Sequence, residues 1–327
     1  MIRAVHLLDD FAMGGVTRAL GVFDEDELAG TVQSRTVPVA MSGQLAPKLD
    51  ADLIVLHMPP SWRRLPWLAS LRLRNRRARI VHVEHSYTRS FTEHNVSSPR
   101  RFAMMLRAAF ALVDDVVCVS RAQREWLVEA SGVARSRTRT IYPWSGREEL
   151  AAIAPARPDT SRPLKLAAYG RFSAVKNFGP LVEAVRALGP GVCTLSLGGS
   201  GPLEAELTAQ AAGADNIRFA GMVEDVAGFL ADADAVIVPS LHESFGLVAT
   251  EARLAARPVL VANVDGLPEQ AASGGHCAPC RTAGDIMQAI EAFRLLPLGA
   301  MAIEARRGAQ SHRADVISGW KRLIAQD

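Results

Sequence analysis

The chain has 327 residues, enough for two domains at roughly 100–200 residues each. Apolar residues make up 49% and charged residues 22%, an ordinary globular composition, and no apolar run approaches the ~18 residues of a membrane span. The net charge of +3 hides a local basic excess between Arg63 and Arg79, with no nucleic-acid motif beside it.

Ile2 to Leu8 reads as an apolar strand, too short for a signal peptide core and followed by no small-residue cleavage site, so the expectation is a cytoplasmic protein. The strand runs into a loop and helix start, Asp9 to Leu20, that contains Gly14-Gly15. Two glycines allow a tight turn and close approach by a ligand, and a following helix would aim its first N–H groups there. The pattern is neither GxGxxG nor a P-loop, which weakens dinucleotide and P-loop readings. Asp52 to His57 is a second strand, closed by Pro59-Pro60. Ser61 to Arg79 then holds seven arginines, two tryptophans and four leucines. The plain reading is a solvated surface helix. The sharper one is a contact with anionic lipid, where each basic residue contributes ~1 kcal/mol.

Ile80 to Val83 is a strand ending at Glu84-His85, which puts His85 where a side chain reaches either a ligand or a loop-anchoring bond. Helices are expected over Arg101–Val113 and, capped by Ser120, over Arg121–Ala130, with Val116 to Ser120 as the strand between them. A last short strand is expected over Thr140–Pro143. Cys118 and Cys193 fall in apolar runs and read as reduced buried thiols. Cys277 and Cys280 form one isolated CxxC, weak support for a metal. A proline-rich stretch follows Trp144. The expected division is 1–145 for a first domain, 146–163 for a linker, 164–310 for a second domain and 311–327 for a C-terminal helix that packs back on the first.

After the linker the strand–helix alternation restarts. Leu164–Tyr169 leads into Gly170-Arg171 and, five residues on, Lys176. Cys193–Leu197 leads into Gly198-Gly199-Ser200-Gly201-Pro202. Ile217–Ala220 leads into Val223-Glu224. Ala235–Val238 leads into Glu243-Ser244-Phe245-Gly246-Leu247 and a helix from Leu247 to Ala256 that carries Glu251. Pro258–Ala262 leads towards Gly266-Leu267-Pro268-Glu269. Two successive runs of this kind suggest two Rossmann-like halves around a cleft. Strand-end loops then bring Arg171, Lys176, Gly199, Glu224, Glu243, the Phe245-Gly246-Leu247 amides and Glu251 to one edge. Two cations can neutralise a diphosphate, and two carboxylates can accept hydroxyl pairs. That set predicts a nucleoside diphosphate sugar.

These residues resemble the retaining family-4 glycosyltransferases of GT-B fold over nearly the whole chain. Glu243 and Glu251 match the family's E-x7-E. Gly170-Arg171 with Lys176 matches its G-R-x-x-x-x-K, Gly199-Ser200-Gly201-Pro202 its G-x-G-P turn, Gly14-Gly15 its first loop and His85 its strand-end histidine. Val175 stands where many members have Glu, and Asn177 where many have Gly. The resemblance implies two facing Rossmann-like domains and transfer of a hexose to a saccharide or lipid-linked acceptor with retention, in bacterial surface polysaccharide or glycolipid synthesis. It implies that Arg171 and Lys176 hold the donor diphosphate, that Glu251 binds the ribose and that Glu243 with the Phe245, Gly246 and Leu247 amides holds the sugar. Backbone at Val223 and Glu224 would meet the base, Gly14 and Gly15 the phosphates, and His85 the sugar. It also implies no obligatory metal or cofactor, and it favours a membrane-facing role for Ser61–Arg79 at the inner face of the membrane. The alternatives are a nucleotide-sugar epimerase of the same fold and a non-catalytic nucleotide-sugar-binding subunit.

Overall fold

The computed structural model describes residues 1–10, 14–39, 45–159 and 161–325. It separates into two compact units, Met1–Gly146 with His312–Asp327, and Arg147–Ser311. Each is a six-stranded parallel sheet flanked by helices.

In the first unit the strands are β1 (Ile2–Leu8), β2 (Val32–Pro38), β3 (Leu53–Leu56), β4 (Arg79–Glu84), β5 (Asp115–Cys118) and β6 (Thr138–Thr140), in the order β2-β1-β3-β4-β5-β6. The central strands Leu53–Leu56 and Asp115–Cys118 are buried at every position, which is why they read as continuous apolar runs. Val5, Leu7, Ile54, Leu56, Ile80 and Val116 join Phe110, Trp126 and Leu127 from the helices Pro99–Phe110 and Arg121–Ser131 in one core. Burying a leucine or isoleucine of this kind stabilises by roughly 1.5–3 kcal/mol. The Ser120 hydroxyl accepts from the Gln123 N–H and starts the second of these helices, and Gly132 at φ 67 ends it. The helix His312–Ile324 belongs to this unit. The Arg79 guanidinium donates to the Leu323 carbonyl at 2.6 Å, His312 Nε2 donates to the Pro143 carbonyl at 2.8 Å, and the Trp320 ring meets Phe23 edge-on.

The second unit contains β7 (Leu164–Tyr169), β8 (Cys193–Gly198), β9 (Ile217–Gly221), β10 (Ala235–Val238), β11 (Val259–Ala262) and β12 (Gly275–Ala278), ordered β12-β11-β10-β7-β8-β9. Counted from its own first strand this is the 3-2-1-4-5-6 order of a doubly wound sheet, and it reverses between β7 and β10. The first sheet reverses between β1 and β3. Ligands of open parallel sheets bind beyond the strand ends at such points.

Several expectations need correction. The strand expected over Thr140–Pro143 lies at Thr138–Thr140, because Thr140 pairs with the last residue of β5 and Pro143 has no N–H to extend the ladder. The helix from Leu247 stops at Leu254, and Ala256 turns into the left-handed region at φ 50. Gly14 is extended, at φ −163, and Gly15 opens the five-residue helix Gly15–Ala19, so no glycine-specific turn forms at Gly14; residues 11–13 of that loop lie outside the described residues. Strands β2 and β12 carry no continuous apolar run because each is an edge with one neighbour. All four cysteines are free, including Cys277 at the third position of β12. Among the described residues no single helix is long and apolar enough to cross a membrane.

Candidate functional site

The loops that follow β7 and β10 meet at the order reversal of the second sheet. Beyond β7, Gly170 leaves the strand at φ 144 and its N–H donates to the Gly198 carbonyl. Gly199, beyond β8, fits only as glycine: at φ 131 an added Cβ would lie 1.9 Å from the Gly170 carbonyl oxygen. The Phe172 N–H donates to Ser200, which ties the two loops together at 2.8 Å. Residues Ala174–Lys176 form one 3-10 turn, and Asn177 closes it in the left-handed region at φ 57. Asn177 is buried, and its amide donates to the Cys280 carbonyl at 2.7 Å, so it does more here than supply a glycine-like backbone. The Leu241 N–H donates to the Val175 carbonyl, which joins this turn to the loop beyond β10.

That joint sets the central contact. Lys176 Nζ donates to Glu243 Oε2 at 2.5 Å, with the two side chains 25% and 17% exposed. The Ser240 hydroxyl donates to the same oxygen, and the Glu243 N–H donates to Asp265. Arg171 is exposed, and its guanidinium has no ion pair among the described residues. Gly246 caps the helix Leu247–Leu254 at φ 90, where a Cβ would lie 2.6 Å from Leu267. Phe245 is buried behind this turn. The helix start leaves the Leu247 and Val248 N–H groups without a backbone acceptor among the described residues, close in sequence to Glu243.

Glu251 is placed differently from an open ribose clamp. It is 1% exposed; Tyr169 donates its hydroxyl to Oε2 at 2.6 Å, and Arg147 Nε lies 3.4 Å from Oε1. Tyr169 and Arg147 are thus among the groups that hold the carboxylate. Sequence reasoning missed both. Tyr169 ends a strand that is aliphatic apart from Lys165 and could have been noticed; Arg147 begins an irregular connector and carries no signal. Val223 packs against Gly198, whose Cβ would lie 2.3 Å from it, and Glu224 is exposed. The structure thus joins Lys176 to Glu243 and Gly170 to Gly199, and leaves Arg171 and Glu224 open to solvent.

In the first unit His85 lies immediately beyond β4 and is half-buried. Its Nε2 faces His57 Nδ1 at 3.0 Å, and His57 Nε2 faces His6 Nδ1 at 2.9 Å. Burial lowers His6 and His85 from about 6.5 to about 4, and lowers His57 well below its ordinary value with help from the neighbouring imidazoles. His82, within β4, faces Glu84 at 3.2 Å. The glutamate accepts the Ser86 and Tyr87 N–H groups and so fixes the backbone around His85. Of the seven arginines in Ser61–Arg79, Arg64 pairs with Asp9, Arg72 with Asp114 and Arg79 with Asp115. Arg63, Arg74, Arg76 and Arg77 are exposed without an ion pair among the described residues.

The two sheet orders and the charged crevice define the GT-B class, and solved structures share that fold along the full chain. Anabaena HepE in complex with UDP and glucose superposes with a TM-score of 0.73 at 21% identity, covering 99% of this chain and 98% of that one. Sucrose-phosphate synthase from Thermosynechococcus elongatus superposes with a TM-score of 0.73 at 19% identity, covering 100% of each. The Glycosyltransferase Family 4 model matches residues 33–144, and the Glycosyl transferases group 1 model matches residues 163–294. The chain belongs to this glycosyltransferase family. A Mycobacterium tuberculosis relative, the GDP-mannose-dependent alpha-(1-6)-phosphatidylinositol dimannoside mannosyltransferase, is 35% identical over 48% of this chain and 40% of its own length. D-inositol 3-phosphate glycosyltransferase from Mycolicibacterium smegmatis is 32% identical over 49% and 40%. The matched region spans about 40% of these curated relatives.

Proposed function

We propose that the protein transfers a hexose from a nucleoside diphosphate sugar to a saccharide or lipid-linked acceptor with retention of configuration. The observation that carries this reading is the Lys176–Glu243 pair at the order reversal of the second sheet, beside the open Arg171 and the Gly246 helix start. In this reading Arg171 and Lys176 neutralise the donor diphosphate, and the helix-start amides of Phe245, Gly246 and Leu247 add partial positive charge. Glu243 accepts hydroxyls of the transferred sugar while it keeps Lys176 in place. Glu251 accepts the ribose hydroxyls through a carboxylate already aimed by Tyr169 and Arg147. Backbone at Val223 and Glu224, with Gly170 and Gly199, borders the nucleotide. In the first unit, Gly14 and Gly15 follow β1 and His85 follows β4, the strand ends from which that unit would act.

The reaction breaks the bond between the anomeric carbon and the diphosphate oxygen. The acceptor hydroxyl attacks on the face the diphosphate leaves, and its proton goes to a phosphate oxygen of the leaving group. The products are a glycoside and a nucleoside diphosphate, and no side-chain base is needed. The reading assigns the leaving-group charge to the two cations, so it calls for no metal. A lipid-linked acceptor is favoured over a free saccharide by the exposed Arg63, Arg74, Arg76 and Arg77 next to the exposed Trp62 and Leu73. That arrangement suits an enzyme working on the cytoplasmic face of a membrane, in surface polysaccharide or glycolipid synthesis.

A thermal-shift screen of UDP-, GDP- and ADP-sugars tests the donor assignment, since a ligand at a hundred times its Kd adds ~2.7 kcal/mol. The stabilising donor is then incubated with acceptors, with nucleoside diphosphate and glycoside as the expected products. Failure of every nucleotide sugar to stabilise the chain would sink the reading. An epimerised donor without free nucleoside diphosphate would turn it to an epimerase.

A further inference from the structure

We infer that the buried imidazole chain His6–His57–His85 is a tautomer lock that makes His85 a neutral hydrogen-bond donor through its outward Nδ1–H. His6 lies inside β1, His57 directly follows β3 and His85 directly follows β4, so neighbouring parallel strands deliver the three rings to one edge of the sheet. The rings stand in line, with centroids 5.2 and 5.3 Å apart. Each internal contact joins two ring nitrogens, and one of the two must carry the proton. For neutral rings that leaves two patterns. Either every ring is protonated on Nδ1, or every ring is protonated on Nε2, because changing one ring changes the next.

The blind end chooses between them. His6 Nε2 is buried with no hydrogen-bond partner among the described residues, and the His6 ring packs on Phe23 at 4.3 Å. The Nε2–H pattern would bury an N–H group with nothing to accept it, and such orphaned donors are rare in folded proteins. The Nδ1–H pattern leaves only a lone pair there. At the other end His85 is half-buried, so its Nδ1 can be met by solvent or ligand in either pattern. The low proton affinity that burial gives His6 and His85 keeps the chain uncharged at neutral pH, and the nearest other titratable groups, His82 and Glu84, bind each other.

An unrestrained imidazole in water prefers Nε2–H, so the chain inverts the intrinsic preference of His85. His57, backed by His6, is then a positioning residue: it accepts from His6 and donates to His85. An Nδ1 that already carries a proton cannot act as a base. It can donate to an oxygen of a bound sugar or phosphate without adding charge. That use rests on the transferase reading above, whereas the tautomer does not.

Two-bond nitrogen–proton NMR of the histidine-labelled full chain near pH 7, without substrate, reads the tautomer directly. The expected result is Nδ1–H at His85, retained in His57→Asn, whose amide can donate in the same place, and switched mainly to Nε2–H in His57→Leu. Partners that orient a metal-bound histidine cost about 10- to 100-fold in activity when removed, and a partner that fixes the tautomer of a metal-free histidine is expected to act on the same order. His57→Leu should therefore lower kcat by at least tenfold with a smaller change in donor KM, and His57→Asn should recover most of it. Nε2–H or a charged His85 in the native chain would overturn the inference, as would a His57→Leu spectrum identical to the parent. Absence of any transfer with the expected tautomer in place would instead count against the transferase reading.

Discussion

In the second unit the crevice beyond the ends of β7 and β10 holds formal charge; in the first unit the three neighbouring strands β1, β3 and β4 carry neutral imidazoles, with His6 inside β1 and His57 and His85 just past β3 and β4. The two sheets share parallel strands and an order reversal, so topology does not explain the difference. Solvation does. Lys176 and Glu243 keep 25% and 17% of their side-chain surface, and Arg171 is exposed, so these three charges remain partly hydrated, while the buried Glu251 is met by Tyr169 and Arg147 instead. His6 and His57 keep 0% and 8%, and a charge there would be stripped of water. A switch point that meets a diphosphate needs fixed cations, whereas one that meets hydroxyls is better served by donors and acceptors that add no charge.

The largest effect expected on this comparison comes from removing the charge. Lys176→Ala should lower kcat at least 100-fold, the range seen when one preorganised charge-stabilising group is lost. The fold should survive, because the side chain is partly exposed and Asn177 still ties the turn to Cys280. Wild-type turnover in a folded Lys176→Ala would remove the charged crevice from the chemistry. Next in size is Gly199→Ala. Its Cβ would have to share space with the Gly170 carbonyl, at a φ that alanine rarely adopts, so a loss of about 3 kcal/mol is expected. A urea midpoint unchanged from the parent would show that the two loops separate easily.

The neutral switch point has its own signature in pH. The folded His6 and His85 bind a proton only near pH 4, while the unfolded chain binds it near 6.5. Between those values the unfolded state carries more protons, so stability rises with pH across the window. It is full above about 6.5 and is lost as pH falls towards 4, with a slope of up to roughly 1.4 kcal/mol per pH unit for each histidine. The carboxylates with the largest downward shifts, Glu27 and Asp52, both at about 2, lose their contribution as pH falls from 4.5 and 3.8, so they overlap only the acid end of this window. A melting temperature that stays flat from pH 7 to 5 would mean that the imidazoles are already charged or not buried.

How much of each switch point was legible follows from the kind of residue it uses. The strands β7, β10 and β11 announce themselves as apolar runs, and Arg171, Lys176 and Glu243 stand out as charges in the glycine-containing loops that follow two of them. The pairing of Lys176 with Glu243 was not legible, because it depends on the Leu241–Val175 backbone bond between two loops about 65 residues apart. In the first unit His85 was visible as a strand-end residue, but His6 looked like one polar interruption in β1 and His57 like the end of a strand. Only the order β1-β3-β4 makes them neighbours. The edge strands β2 and β12 stayed hidden because half of each faces away from the core.

The smallest effect concerns Glu251, whose carboxylate is held rather than free. Tyr169→Phe removes the 2.6 Å hydrogen bond to Oε2 but keeps the ring that packs edge-on against Phe229. Arg147 still faces the other oxygen, so the carboxylate keeps a partner and the unit should stay folded. A hydrogen bond to a charged group contributes about 1.5–3 kcal/mol, and a ligand hydroxyl can take over the freed position in the bound state. The variant should therefore lose roughly 1–2 kcal/mol of unfolding free energy in the apo protein and less when donor is bound. Donor KM should change by no more than about tenfold while kcat holds, the pattern of a contact made equally in ground and transition states. If kcat fell as far as in Lys176→Ala, Glu251 would belong to the charge chemistry of the crevice rather than to the grip on the nucleoside.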